Sequence, residues 1–422
     1  MKINLKYAEK EVKVEIPEEN FIYSLSPGDL PGLKNEEESI KESLRNPVSS
    51  APLIQEIKEG MKIVILGDDI TRPTPRRKIF PVLLDEINEA GVPDKDITLI
   101  IALGTHRYMS KKEIERCFGK KVTERVEVLN HEWKDESNFV YIGSTGSGIP
   151  VKINKISYES DYLIGVGNIT PHCLAGYSGG AKIIQPGISS WEATARTHLI
   201  PAKKDNFLDF AGNPENEVRL EMEKVAKIAG LNFIINTVLN SKGEIVEVVG
   251  GDPVKAHRKG VEVAKKIYER KIPELADILI LSAYPVDIDY WQAMKPLLYA
   301  QHGVRKNGTV IFLASMPEGI SSVHSELEKY GNKSYNQIKR LIREKKIEDL
   351  VCAHALLQHT LVKERTDIIC ISEGLSWEQK EKMGFKHADS LEEALEIALR
   401  KRGRKAKIGV INYGGEVLPR LR

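Results

Sequence analysis

The stretch Lys62-Ile-Val-Ile-Leu66, followed by Gly67-Asp-Asp-Ile-Thr-Arg-Pro-Thr-Pro75 and then by a run with apolar residues at Ile79, Val82, Leu83 and Ile87, decides the fold. A short apolar run reads as a strand buried on both faces, the Asp- and Pro-rich segment as a loop, and apolar residues three and four apart as a helix. The order returns in Ile97-Thr-Leu-Ile-Ile-Ala-Leu103, Gly104-Thr-His-Arg107 and the helix-like Lys111 to Cys117. A third strand, Tyr162 to Val166, ends in Gly167-Asn-Ile-Thr-Pro-His172 and then Gly176-Tyr-Ser-Gly-Gly-Ala-Lys182. Strands alternating with helices predict an α/β fold with mostly parallel sheets, and ligands in such sheets sit at the carboxyl ends of the strands, where these three polar loops fall.

Working outward, Ile3, Leu5 and Tyr7, then Val12, Val14 and Ile16, alternate with polar residues as in a half-buried hairpin turning at Ala8 to Lys10, and residues 27 to 52 read as irregular. Downstream, helices are expected at about 214 to 229 and 253 to 269, with strands at 231 to 238 and 244 to 249. Near Pro273 the pattern restarts, with strands at Asp277 to Ser282, Thr309 to Leu313, Asp367 to Ser372 and Lys407 to Asn412, and a helix containing Lys295. The reading is therefore of two α/β domains, 1–272 and 273–405, with the tail from about 406 to 422 returning to the first and an active site in the cleft between them.

At roughly 150 residues per domain, a chain of 422 residues holds two or three units. With 62 Lys+Arg against 60 Asp+Glu the net charge is +2, which excludes nucleic acid or an anionic membrane as the main partner. The chain is 41% hydrophobic and 29% charged, an ordinary globular composition. Cys117, Cys173, Cys352 and Cys370 have no CxxC spacing and read as reduced thiols. The opening MKINLKYAEKEVKVEIP lacks an apolar signal core and no 18-residue apolar run follows, so a cytoplasmic location is expected.

Several loop residues carry chemistry. Gly176 to Lys182 has the closely spaced glycines of an anion-binding loop but not the Gly-Lys-Ser/Thr ending of a Walker A motif, since Ala181 precedes Lys182 and Ile183 follows; a tight structural turn accounts for it equally. His106, His172 and His198 each read singly as structural histidines, and together with Arg72 and Lys182 as a site if the fold joins them. A zinc hydrolase would need three protein ligands, yet HExxH and short helical His pairs are absent. No GxGxxG loop follows a strand, which weighs against a nicotinamide dehydrogenase. Asp68, Asp69 and Arg72 fit an Asx turn with an ion pair as well as a polar site. Trp291 and Lys295 fall four apart on one helix face, so that Trp291 is core or, with Gln292, lines a ligand site.

Taken in order, Asp69-Ile-Thr-Arg72-Pro, Ala102-Leu-Gly-Thr-His106-Arg, Pro171-His172 with Gly-Gly-Ala-Lys182, Thr197-His198 and Gln292-Ala-Met-Lys295 resemble the nickel-dependent lactate racemase family over some 230 residues. The resemblance implies a racemase or epimerase that inverts the C2 centre of a 2-hydroxycarboxylate through a nickel-pincer nucleotide, a sulfur-bearing pyridinium mononucleotide holding Ni(II) and anchored on a lysine. It implies Lys182 as the anchor, His198 as a nickel ligand, His106 and His172 as acid/base pair, and Arg72 and Lys295 as carboxylate binders. Asp69 would orient a base or the cofactor, Ser178, Gly179 and Gly180 would approach its phosphate, and Trp291 and Gln292 would shape the pocket. Proteins that build the cofactor are implied as partners. The stretch Leu350-Val-Cys-Ala-His-Ala-Leu-Leu-Gln-His359 lacks the tryptophan expected of a lactate-type pocket. The substrate is thus lactate-like or more polar, such as malate or a gluconate-type sugar acid, with His354, Gln358 and His359 either greeting the polar group or belonging to a plain amphipathic helix. The other readings are a non-catalytic binder of the nickel nucleotide and a zinc-dependent hydrolase.

Overall fold

The computed structural model describes residues 1–203 and 207–422. Two six-stranded sheets, flanked by helices, organise the described residues into an α/β fold. In the first, the strands lie in the order Ile245–Gly251, Phe233–Leu239, Tyr162–Asn168, Ile63–Gly67, Ile97–Ile101 and Glu127–Asn130, all parallel except the first pair. Ile63–Gly67 is buried at every position, as its unbroken apolar run requires. From it the chain moves to Ile97–Ile101 on one side and later sets Tyr162–Asn168 on the other. That reversal separates the connections at the carboxyl ends of neighbouring strands and opens a crevice there. The helices Arg76–Glu89 and Lys111–Phe118 follow the first two loops where periodicity expects them. A Ser110–Glu113 capping box starts the second of these helices.

The second sheet is parallel throughout, in the order Lys386–His387, Asp367–Ile371, Val304–Leu313, Ala276–Ser282, Ile408–Ile411 and Phe21–Leu25. Its last strand comes from the N-terminus, so the expectation that residues 1–272 all build the first domain is corrected. The hairpin Lys2–Tyr7 and Lys10–Glu15 forms as read, and Leu5, Tyr7 and Val14 within it, with Ile16 just after it, pack on one face of the second sheet. The tail divides. Ile408–Ile411 enters the second sheet, whereas Leu418–Leu421 pairs in parallel with Glu269–Ile272.

Residues 27 to 52 also differ from expectation, because the helix Glu36–Arg45 lies within them. Asn35 caps it, three glutamates occupy its first turn, and Ile40 and Leu44 are buried four residues apart. All four cysteines are free thiols, and three are buried. No helix among the described residues is long and apolar enough to cross a membrane.

Candidate active site

One cavity lies over the crevice of the first sheet and is closed from the other side by residues of two helices of the second domain. Asp68, Asp69 and Arg72 reach it from the loop after Ile63–Gly67, His106 from the loop after Ile97–Ile101, and His172 and Lys182 from the segment after Tyr162–Asn168. The helix Tyr290–Ala300, started by an Asp289 cap, supplies Trp291, Gln292 and Lys295, and the helix Leu350–Arg365 supplies Val351, His354 and Gln358. His198 also lines the cavity. It stands at the C-terminal end of the helix Trp191–His198, not in the loop or helix-start setting expected of it. Every residue expected in the site lines this cavity except Gly180.

The two site histidines are held differently. Nδ1 of His106 donates to Asp69 Oδ2 at 2.6 Å, while Nε2 accepts from the Gln292 amide at 3.2 Å. Asp69 is fixed in turn by the amide and hydroxyl of Thr71, and His106 and Arg72 hold its carboxyl well below the usual range despite burial. Nδ1 of His172 instead accepts the backbone N–H groups of Leu174 and Ala175, each at 3.2 Å. When neutral, His172 therefore carries its proton on Nε2 whereas His106 presents a bare Nε2. Burial pushes both imidazoles below their ordinary pKa, and for His172 the cations Lys182, Lys295 and Arg72 add to it.

Arg72, Lys182 and Lys295 form no ion pair among the described residues, although each lines the cavity. Gln292 Oε1 accepts from both Lys295 Nζ and Arg72 Nη1, the latter at 3.4 Å. Burial, then Arg72, lowers the Lys295 ammonium to about 7. Lys182 is lowered well below 10.5 by burial and the neighbouring cations, which gives an amine with nucleophilic character. His198 donates Nδ1–H to Thr194 O at 2.8 Å, so its Nε2 lone pair is free in the arrangement that metal-binding histidines use.

The glycine segment is shaped by internal bonds. The Ser178 hydroxyl donates to Asn168 O at 2.6 Å, the Ser178 amide to Thr170 O at 2.8 Å, and the Gly180 amide to Asn236 Oδ1 at 2.7 Å. Both amides are thus donated within the protein. The fully buried Arg219 clamps the loop through the carbonyls of Ala175 at 3.1 Å, Gly179 at 3.0 Å and Tyr177. Sequence reasoning missed Asn168 and Asn236, both on the cavity wall, and Asn168 Nδ2 is buried without a partner. The signal for Asn236 was an amide side chain inside the mostly apolar strand Phe233–Leu239. His359 does not line the cavity. It accepts from Tyr290 Oη and donates to Gly331 O, a satisfied core histidine in a helix buried almost all round instead of on one face.

A doubly wound sheet with three histidines and three cations lining one cavity at its switch point, covered by helices of a second α/β domain, is the architecture of a two-domain α/β enzyme. The chain belongs to the lactate racemase family: residues 7–207 match the lactate racemase N-terminal domain and residues 272–418 the C-terminal domain. It is 30% identical to the lactate racemase of Thermoanaerobacterium thermosaccharolyticum, over 99% of both chains, and 30% identical to that of Lactiplantibacillus plantarum, over 98% of both. These relatives are isomerases. The structure of the T. thermosaccharolyticum lactate racemase apoprotein superposes with a TM-score of 0.88 at 29% identity, covering 100% of both chains. A Thermotoga maritima protein shares the fold at 20% identity and TM-score 0.75, over 94% of this chain and 100% of that one.

Proposed function

We propose that the chain inverts the C2 centre of a 2-hydroxycarboxylate, lactate or a more polar acid, with a nickel-pincer nucleotide anchored on Lys182. The observation that carries this reading is the convergence on one cavity of two differently held histidines, two cations and an unpaired, weakly basic lysine. The residues suit the cofactor. Lys182 offers a half-buried amine without a hydrogen-bond partner among the described residues, His198 offers a bare Nε2, and Asn168 Nδ2 is an orphaned donor on the wall. Among the described residues no three His, Cys, Asp or Glu side chains are grouped to hold a metal, which disfavours a zinc hydrolase and suits an ion that brings most of its own donors. When bound, the cofactor supplies a reversible hydride acceptor.

The rest is done by this chain. Arg72 grips the substrate carboxylate in a planar pair, and the Lys295 ammonium adds a point charge from the opposite domain. The amide of Gln292 spaces these cations from His106. His106 Nε2, aligned by Asp69, accepts the C2 hydroxyl proton, a step worth about 10²- to 10⁴-fold. His172 Nε2–H donates to the oxygen on the other side of the centre. To serve as the base for the opposite enantiomer, His172 would have to move its proton to Nδ1 and release the Leu174 and Ala175 amides. Burial by the second domain keeps water from the reacting carbon.

The test is the intact mass and peptide map of the protein produced with the cofactor-building genes, followed by chiral analysis of lactate incubated with it. A nucleotide adduct on Lys182, lost in Lys182→Ala, with conversion of one lactate enantiomer into the other, is the expected result. An unmodified Lys182 in an actively racemising protein would sink the anchor, and an adduct without inversion of any 2-hydroxyacid would leave a binder.

A further inference from the structure

In the helix Leu350–Arg365, Val351, His354 and Gln358 fall three and four residues apart, and this stripe is the face turned to the cavity. The polar groups beside it are satisfied. His359 is bonded through both nitrogens, and Thr360 Oγ1 donates to Leu356 O at 2.8 Å. Gln358 alone in this helix has both Oε1 and Nε2 buried with no hydrogen-bond partner, at 1% exposure. A leucine or methionine would fill that position without the penalty of an unpaired buried amide, so the amide calls for a ligand. One turn earlier, His354 donates Nδ1–H to Val351 O, which leaves its Nε2 as an acceptor.

We infer that Gln358, with His354, is a specificity-determining contact for hydroxyl groups beyond C2, so that the preferred substrate is a polyhydroxy 2-hydroxycarboxylate of the sugar-acid class. The inference rests on the 2-hydroxyacid reading above and narrows it. This part of the wall offers an amide N–H, an amide carbonyl and an imidazole lone pair. Hydroxyls both donate and accept, and so satisfy all three. The second carboxylate of malate only accepts. It would meet the N–H but face the lone pairs of Gln358 Oε1 and of His354 Nε2, whose ring is turned that way by the Nδ1–H bond to Val351 O. The methyl of lactate would leave the amide unpaired. The cations Arg72, Lys182 and Lys295 all stand on other segments of the cavity wall.

The experiment compares gluconate, malate and lactate on the cofactor-loaded enzyme and its Gln358→Leu variant, reading epimer formation by chiral chromatography, binding by calorimetry, and adduct occupancy by intact mass. The unaltered protein is expected to favour gluconate over lactate and malate by about tenfold or more in kcat/KM. In Gln358→Leu the gluconate-to-lactate ratio should fall about 10- to 100-fold with the adduct retained. Preference for malate or lactate overturns the assignment, as does an unchanged ratio. An equal loss for all three acids together with a lost adduct also overturns it, because Gln358 would then hold the cofactor. Gln358-dependent binding of gluconate without inversion of any acid upholds the contact and removes the racemase reading, while absent gluconate binding with lactate inverted does the reverse.

Discussion

Asp69 and the backbone amides of Leu174 and Ala175 give His106 and His172 opposite proton placements, and that difference is measurable. A glutamine can replace a donor but not a base. His106→Gln should therefore lower kcat by about 10²- to 10⁴-fold, and His172→Gln by only about tenfold. Equal losses in steady-state racemisation would mean that both imidazoles transfer protons with the same weight. Lys295 gives a second expectation. Its ammonium is lowered to about 7, so it is charged below that pH and loses its proton above it. KM for a 2-hydroxycarboxylate should then rise with pH above about 7, approaching tenfold per unit, as the attraction for the carboxylate is lost. Lys295→Arg, charged throughout, should flatten that limb, and a KM independent of pH from 6 to 9 in the unaltered enzyme would contradict the assigned contact.

At the scale of the element, the glycine segment before Lys182 is held by close backbone approach. Gly176 has φ +74°, and a Cβ there would stand 2.1 Å from Asn213 O. Gly176→Ala should destabilise by about 3 kcal/mol or more, combining left-handed strain with a backbone clash, and lower the unfolding midpoint in calorimetry by about 6 °C or more. A midpoint within about 1 °C of the parent, the size of an ordinary surface change, would show that the loop gives way. The elements around this segment were legible because Ile63–Gly67, Ile97–Ile101 and Tyr162–Asn168 are apolar runs ending in polar loops. The helix Glu36–Arg45 was not, since only Ile40 and Leu44 mark its buried face amid charged residues. His106, His172 and His198 were identifiable as candidates one by one. Their meeting depends on which strands neighbour Ile63–Gly67, and strand order is written in long-range packing that no local period carries. Gln358 could be noticed in sequence, but its unpaired amide is a property of what surrounds it.

At the scale of the whole molecule, the two domains are joined beside the cavity, where a second pocket adjoins it through His106 and Gln292. Arg107, next to His106, pairs with Glu318 of the second domain through Nε–Oε2 at 2.9 Å and Nη2–Oε1 at 2.7 Å. The pair is about one-third exposed, so solvent screening limits it to about 1 kcal/mol. Glu318→Gln should raise KM about three- to fivefold while moving the unfolding midpoint by less than about 3 °C; an unaltered KM would show that this pair does not support the closed arrangement. A further tie is topological. Among the described residues, the strand Phe21–Leu25 has its one neighbour in the second sheet in Ile408–Ile411, which lies far downstream in the chain. On a ribosome adding roughly 5 to 20 residues per second, this strand waits for tens of seconds before its partner exists. Until then its unpaired edge is open to other nascent chains, which makes the synthesis of Ile408–Ile411, and not the folding of either half, the event that closes the second domain.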